Sequence, residues 1–593
     1  MNPPATPSSA EKNALILLYK TGQFLALENQ SQQLIERFPD AGIIWKLLAA
    51  SLGKQGKDAL PALLKTAEFL PDDAETQNNL GIIFEDRGQH ESALASYNHA
   101  LRLKPDFAEA HYNLGNTFIE LGRIDEAISS YRNALKYQPE HAVIHSNLGA
   151  ALQDLGRHDE AVLSYRRVLE LMPDYNDTRS NLLFAMNSSS SFSVGACLEE
   201  AGRYGTAVAK KVRGKFNFWQ CDPQPPKLRV GFVSGDLRKH PVGYFLENLI
   251  THLDLAHVEL IAYSTIDHAD ELTLRIQPYF SKWRVIFGMN NQAAAQQIHL
   301  DGVHILFDLA GHTAKNRLPV FAWKPAPVQC TWLGYFASTG VAEMDYLLAD
   351  ETSIPQPHQV NFTEAIWYLP DTKQCLTQPN VDMPCSPPPA LANKQITFAC
   401  FQRLTKIEDA VLKLWQKILA RLPDARLHLA CKELDDEQAK SHMMLRLQNS
   451  GFNSTQIVMS GAIDSWQGYM ARYNEIDIML DTSPYTGTTT TCEALWMGVP
   501  TITLAGDSFL SRHGASVVSA ASLPDWIARD EDDYVAKAIA FAGDLPKLAA
   551  LRAGLREQVR VSPLFDAPRF ARNFEAALWG MWQNWRMQQG INK

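Results

Sequence analysis

A 34-residue period over the first third of the chain, and two later series of short apolar strands alternating with helical stretches, predict an α plus α/β fold: a solenoid of antiparallel helix pairs followed by two Rossmann-like domains. The length agrees, because 593 residues accommodate about three to five domains. Hydrophobic residues make up 46% and charged residues 20%, an ordinary globular balance. Lys plus Arg number 55 against 65 Asp plus Glu, a net charge of −10, which argues against a nucleic-acid partner. No apolar run approaches the ~18 residues of a membrane span. The opening MNPPATPSSAEKN has neither the basic nor the apolar stretch of a signal peptide.

The elements follow in order. Residues 1–12 are expected to be a disordered N-terminus, and 13–185 a repeat superhelix. Pro71, Pro105, Pro139 and Pro173 recur at the period, as do Gly81, Gly115 and Gly149, then Gly88, Gly122 and Gly156, then Tyr97, Tyr131 and Tyr165. The first glycine of each unit should let two helices approach, the second should lie near the turn, and the proline should end the second helix. Two degenerate units are expected over 13–41 and 42–74, since terminal repeats are often atypical. Asn79, Asn113, Asn147 and Asn181 fall at one equivalent position. A column of amides, each one acceptor and two donors, could hold an extended peptide by its backbone, or could simply bond within the helix pair.

Residues 186–227 read as a linker with bridging helices, because LLFAMNSSSSFSV breaks the period and 194–217 look helical. LRVGFVS, VELIAYS, VHILFDLAG and PVQCTWLGY then predict the buried parallel sheet of a first half, 228–375. A proline-rich linker, 376–394, precedes a second half, 395–565, with QITFACFQ, RLHLAC, QIVMSG, DIMLD and TITLAG as strands. A C-terminal helix, 566–593, is expected to dock on one half. Ligands of such a pair bind beyond the carboxyl ends of the strands, in the cleft.

The strongest local signal is DTSPYTGTTTTCEALWMGVP, 481–500. A strand, a turn and a helix N-terminus suit a phosphate, Thr488 to Thr491 add hydroxyls, and Glu493 could accept from a ribose hydroxyl. The bland alternative is a threonine cap on a core helix. RDEDDY, 529–534, is the only run like the D-x-D of a metal-dependent transferase, and it reads as a helix cap. Cys197, Cys221, Cys330, Cys375, Cys385, Cys400, Cys431 and Cys492 form no CxxC pair, which fits a reducing cytosol rather than a disulfide framework.

The 34-residue units with N-L-G, Y and P resemble tetratricopeptide repeats. The threonine segment resembles the diphosphate-binding segment of the O-GlcNAc transferase family. So do, in family order, GFVSGDLRKHPVGYFLENL, DLAGHTAKNRLPVFAWKPAPVQCTWLGYFASTGVAEMDYLLAD, FQRLTKIEDAVLKLWQKILARLPDARLHL and SPLFDAPRF. With the repeats, the resemblance runs from about 75 to 585 and has the layout of the compact bacterial members. It implies a GT-B pair of domains and an inverting, metal-independent transfer of a sugar, with no metal ligands and no cofactor. The sugar would pass from a nucleotide donor, UDP-GlcNAc first, to serine or threonine of a protein held by the repeats. It implies a cytoplasmic protein whose superhelix can form homodimers, without a nucleic-acid partner.

The resemblance also distributes roles. Lys406 matches the lysine that neutralises the leaving diphosphate; Thr489 and Thr490 match phosphate-binding threonines, with Thr488 beside them, and Glu493 matches the acid on the ribose. His240 and Asp236 match residues facing the sugar, both open to an acid/base role. Leu333 and Gly334 match the loop beside the sugar. Gly311, His312 and Thr313 match the glycine-led turn, with His312 a second candidate base. Arg403 aligns best, ahead of Gln402, with a diphosphate contact. Tyr469 stands where the family stacks a histidine on the base, and Arg472 keeps a basic residue nearby. A histidine found before the catalytic region of animal enzymes has no counterpart in LLFAMNSSSSFS. Plant Spindly proteins share a very similar G-T-T-T-T-C-E run, and similarity to them implies GDP-fucose as the alternative donor. A catalytically decayed repeat scaffold is the third reading.

Overall fold

The computed structural model describes residues 6–590. Residues 1–5 of the expected disordered N-terminus lie outside that range. Its remainder is corrected: Ser9–Lys20 is already a helix, begun by a capping box in which the Ser8 hydroxyl accepts from the Glu11 N–H and the Glu11 carboxylate accepts from the Ser8 N–H. The chain divides into two units, one of residues up to Leu155 with Leu163–Pro173, the other of Gly156–Val162 with Asp174 onward.

The first unit is built of helix pairs: Ser9–Lys20 with Phe24–Arg37, Gly42–Lys54 with Leu60–Phe69, Ala74–Asp86 with His90–Leu103, and Ala108–Glu120 with Ile124–Tyr137. The glycines do what the period required. A Cβ on Gly81 would lie 2.4 Å from the Tyr97 ring, and one on Gly115 2.6 Å from Tyr131, so only glycine lets the paired helices meet there. Gly88 and Gly122 sit at φ +69° and +73°, the left-handed position that ends the first helix of each pair. The second helices end at Leu103 and Tyr137, two residues before Pro105 and Pro139.

In the second unit the helix Asn176–Ser188 outlasts the sequence break, and Val194–Ala209 follows, capped by the Ser193 hydroxyl. The helix expected over 194–217 stops at Ala209 and the chain turns away, with Gly214 at φ +77°. The first sheet holds β1 (Leu228–Ser234), β2 (Val258–Ser264), β3 (Lys282–Val285), β4 (Ile305–Asp308), β5 (Val328–Thr331), β6 (Tyr346–Ala349) and β7 (Ala365–Tyr368). Their order is β3-β2-β1-β4-β5-β6-β7, every pairing parallel. The second sheet holds β8 (Thr397–Cys400), β9 (Arg426–Ala430), β10 (Ile457–Ser460), β11 (Ile478–Leu480), β12 (Thr501–Leu504) and β13 (Ile527–Ala528). Its order is β10-β9-β8-β11-β12-β13, again parallel.

Each sheet therefore reverses direction between its first and fourth strands, β1/β4 and β8/β11. That is where a doubly wound sheet opens a crevice for ligands. β3, β6, β7 and β13 were not legible as apolar runs; they are two to four residues long and lie at or beside sheet edges.

The helix Ala567–Gln588 returns from the second half to the first. Phe570, Phe574, Leu578, Met581 and Trp582 are buried in the core of β1, β4 and β5. RDEDDY is a cap, as read: Asp530 accepts from the Asp533 N–H at the start of Glu531–Gly543. Among the described residues, no helix is long and apolar enough to cross a membrane, and no cysteine is disulfide-bonded.

Candidate active site

Four loops leave the carboxyl ends of β1, β4, β8 and β11, and they carry most of the residues singled out above. Two buried aspartates shape two of them in the same way. Asp308, the last residue of β4, accepts from the N–H groups of Ala310 (3.2 Å) and Gly311 (2.8 Å) and from the Thr331 hydroxyl on β5 (2.9 Å). Asp481, just after β11, accepts from the N–H groups of Thr482 (3.0 Å) and Gly487 (2.6 Å) and from the Thr503 hydroxyl on β12 (2.7 Å). Burial pushes both carboxyls up to about 6, and these hydrogen bonds work against it. Neither aspartate was singled out from sequence, although each stands at the carboxyl end of an apolar strand.

The β11 loop ends in the helix Thr489–Trp496, whose first N–H groups have no intrahelical acceptor. Thr488, Thr489 and Thr490 are half-buried there. The Thr490 hydroxyl accepts from Gln402 Nε2 at 2.6 Å, and Gln402 Oε1 in turn accepts from Lys406 Nζ at 3.4 Å. Gln402 thus bridges the lysine of the β8 loop to the threonine of the β11 loop. The ammonium also sits 4.0 Å from the centroid of the Tyr485 ring. Burial lowers the Lys406 pKa to about 8, opposed by the nearby Asp481 and Cys400. Tyr485 packs 5.2 Å from Phe336 of the first half, so the lysine's seat spans the two halves.

Arg403 departs from expectation. Its side chain is 68% exposed and ion-pairs with Glu433 at 2.9 Å, and the bridging contact falls to its neighbour Gln402, 5% exposed. In an extended entry to the turn, adjacent side chains point opposite ways, so a one-residue choice of alignment reverses inside and outside.

Glu493 is buried, and Oε2 accepts from Tyr469 Oη at 2.7 Å and Tyr473 Oη at 3.3 Å. Burial raises its pKa to about 7, opposed by the two phenols. The Tyr469 ring lies 5.7 Å from the half-exposed Trp466 at an interplanar angle of 30°. Trp466 went unremarked in the sequence, where it reads as an isolated surface aromatic. Arg472 is 7% exposed and donates to the Gly461 carbonyl at 2.9 Å, so it braces this segment.

In the first half, His240 caps the helix Pro241–Ile250, its Nδ1 accepting from the Val242 N–H at 3.3 Å. That bond fixes the tautomer, leaving the proton on Nε2. Asp236 lies 3.7 Å from Nδ1, and burial holds the imidazole below its ordinary value despite it. Leu333 adopts φ +74°, a strained value for leucine, and packs against the cores of both halves. A Cβ on Gly334 would lie 1.9 Å from the Leu309 carbonyl oxygen.

His312 is a correction. It is 1% exposed, Nε2 donates to the Thr339 carbonyl at 3.0 Å, and Nδ1 accepts from the Ser180 hydroxyl at 2.9 Å. Tyr204 and Tyr335 lie edge-on at 4.5 and 5.1 Å. With both nitrogens engaged and the pKa lowered by burial to about 4, it is a core histidine and neither a base nor a donor ligand. Gly311 beside it is structural too: at φ +54°, an added Cβ would lie 2.1 Å from Tyr335.

Two members of the asparagine column, Asn113 and Asn147, are engaged within the first unit. Asn113 Nδ2 donates to Asn78 at 3.1 Å, and Asn147 Nδ2 to Asn116 at 3.1 Å and Tyr112 at 3.4 Å. Asn79 is exposed and belongs to the first unit; Asn181, half-buried, belongs to the second.

Comparison with known proteins adds to this geometry. The profile of glycosyl transferase family 41 matches residues 201–375 and 388–574. Tetratricopeptide-repeat profiles match 83–122, 115–156 and 142–175. The chain is 36% identical over 376 residues to a probable UDP-N-acetylglucosamine–peptide N-acetylglucosaminyltransferase, SPINDLY, of Petunia hybrida, covering 63% of this chain and 40% of that protein. It is 30% identical over 369 residues to the SEC protein of Arabidopsis thaliana, which carries the same probable activity in its name; the match covers 60% of this chain and 37% of that one. The chain thus spans about two fifths of the length of the curated relatives it matches. Among solved structures it is similar to a lysine-to-methionine mutant of Thermobaculum terrenum O-GlcNAc transferase. The TM-score is 0.76 at 33% identity, covering 87% of this chain and 98% of that one.

Proposed function

The chain belongs to glycosyl transferase family 41, and from that premise we propose that it is an inverting protein O-glycosyltransferase, moving N-acetylglucosamine from UDP-GlcNAc to serine or threonine of an acceptor protein. The observation that carries this is the Lys406–Gln402–Thr490 bridge. A half-buried ammonium, a hydroxyl and free helix N–H groups converge at the switch point of the second sheet, and this combination suits a departing diphosphate. The acceptor oxygen attacks the anomeric carbon as the bond to the β-phosphate breaks; the electron pair goes to the diphosphate, whose charge Lys406 meets. His240, with its proton on Nε2, supports a donor's role toward the sugar-phosphate. The hydroxyl proton then goes to Asp236 or to a phosphate oxygen of the donor. Tyr469, backed by Trp466, offers a stacking face to the base. The repeats of the first unit, with Asn79, Asn113 and Asn147, hold the acceptor, and the unbridged thiols suit a cytoplasmic enzyme.

A second reading, transfer of fucose from GDP-fucose, rests on the G-T-T-T-T-C-E run that resembles that of plant Spindly proteins. Melting the full chain with UDP-GlcNAc, UDP-glucose and GDP-fucose separates them, since a donor at 100 times its Kd adds about 2.7 kcal/mol to stability. Co-expression with an acceptor pool and intact-mass analysis then reads the sugar transferred. No stabilisation by any donor and no mass increment would leave the decayed scaffold as the correct reading.

A further inference from the structure

The serine run read from sequence as a linker does more than connect. Ser189 Oγ and Ser191 Oγ donate to the two carboxylate oxygens of Asp159 at 2.6 and 2.7 Å, while Ser190 Oγ donates to Glu408 at 2.7 Å. Asp159 belongs to the turn that opens the helix His158–Leu171; Glu408 lies two residues beyond Lys406. Between these ties the two turns touch. A Cβ on Gly156 would lie 2.9 Å from both Cα and the carbonyl oxygen of Thr405. His158, 6% exposed, hydrogen-bonds the Thr405 carbonyl. Its Nδ1 is buried without a partner, so the bond is made by Nε2–H.

The carbonyl that His158 meets lies in the short turn Leu404–Lys406, where the Lys406 N–H donates to the Arg403 carbonyl and the Ile407 N–H to that of Leu404, each at 3.0 Å. Two residues further along, the Ile407 carbonyl is held by the Arg446 guanidinium at 2.6 Å. The lysine turn is thus fastened on both sides by side chains distant in sequence.

We propose that His158 is a positioning residue for Lys406, acting through the Thr405 carbonyl, with the serine run clasping its turn against the lysine turn. This rests on the reading of Lys406 as the counter-charge of the leaving diphosphate. A three-residue turn has little rigidity of its own, and leaving-group stabilisation depends on where the ammonium stands, an ångström of misplacement costing up to about 100-fold. The glycine at 156 keeps the contact close, and the buried imidazole spends its one donor on a main-chain oxygen.

The test uses the full chain as His158→Leu, His158→Gln and His158→Asn. Gln places its amide nitrogen near the native Nε2, whereas Asn stops near Nδ1. Calorimetry measures binding of UDP, GDP and their parent nucleosides, and initial rates give kcat and donor KM. His158→Leu is expected to weaken the preferred diphosphate about 10-fold and lower kcat about 10-fold, with nucleoside binding unchanged. His158→Gln should restore both to within about 3-fold, and His158→Asn should not. A well-folded His158→Leu with unaltered diphosphate binding and kcat overturns the proposal. Where His158→Leu does not fold, equal behaviour of the Gln and Asn variants overturns it. A wild-type chain that binds neither UDP nor GDP overturns the function itself, and with it the brace.

Discussion

Replacing Lys406 by methionine removes the ammonium and keeps nearly the same reach, and two consequences of opposite sign follow. The first concerns the reaction. An ammonium about 4 Å from a developing phosphate charge, at the effective dielectric of about 20 that suits such sites, contributes about 4 kcal/mol, or roughly 10³-fold in rate. The kcat/KM for transfer should fall by that order. The second concerns stability. Burial holds the lysine at about 8, below its ordinary 10.5. Below pH 8 both folded and unfolded chains carry the proton, and the folded one bears a penalty of about 3 kcal/mol. As pH rises through 8 toward 10.5 the folded group is already neutral and the penalty fades. The lost contact with Tyr485 offsets about 1–2 kcal/mol of that gain. Lys406→Met should therefore melt slightly above the parent at pH 7 and lose that advantage near pH 10. Initial-rate transfer with saturating and subsaturating donor, and melting curves at both pH values, check the pair of outcomes. A variant that keeps more than about a tenth of kcat/KM, or that is less stable than the parent at pH 7, refutes the reasoning.

Other outcomes follow from the same geometry. His312→Phe strands the Ser180 hydroxyl and the Thr339 carbonyl; it should cost about 1–3 kcal/mol in denaturant unfolding and leave donor KM unchanged. Glu493→Gln removes a carboxyl held at about 7, above its ordinary 4.5. Between about 4.5 and 7 the unfolded carboxyl ionises while the folded one keeps its proton, so the cost to the fold builds across that window; the variant should be stabilised at pH 8 and unaltered near pH 4, read by melting curves at each.

How much of this was legible in the amino-acid string depends on the range of the physics involved. The repeat period shows because each unit needs its own glycine at φ about +70°, its own tyrosine over a bare glycine and its own stop. The strands of both sheet centres show because burial on two faces forces continuous apolar runs. The threonine-headed helix shows because capping and turn chemistry lie within one short segment. Arg403 and Gln402 were exchanged because resemblance aligns letters and does not say which neighbour faces inward. His312 looked catalytic because a histidine in a glycine-led turn carries no mark of the Ser180 hydroxyl and Thr339 carbonyl that enclose it. Asp308 and Asp481 passed unnoticed because their partners, Thr331 and Thr503, sit on neighbouring strands.

From the sequence alone came the architecture, the order of its parts and the segment where a phosphate would be met, all properties set by contacts within a few dozen residues. Only the folded chain decided which side chains stand together: the lysine on the tyrosine ring, the glutamine between lysine and threonine, the histidine at 158 against the turn before 406. Those meetings are fixed by chain segments that are tens to hundreds of residues apart and share one buried surface, a constraint that leaves no periodicity behind it.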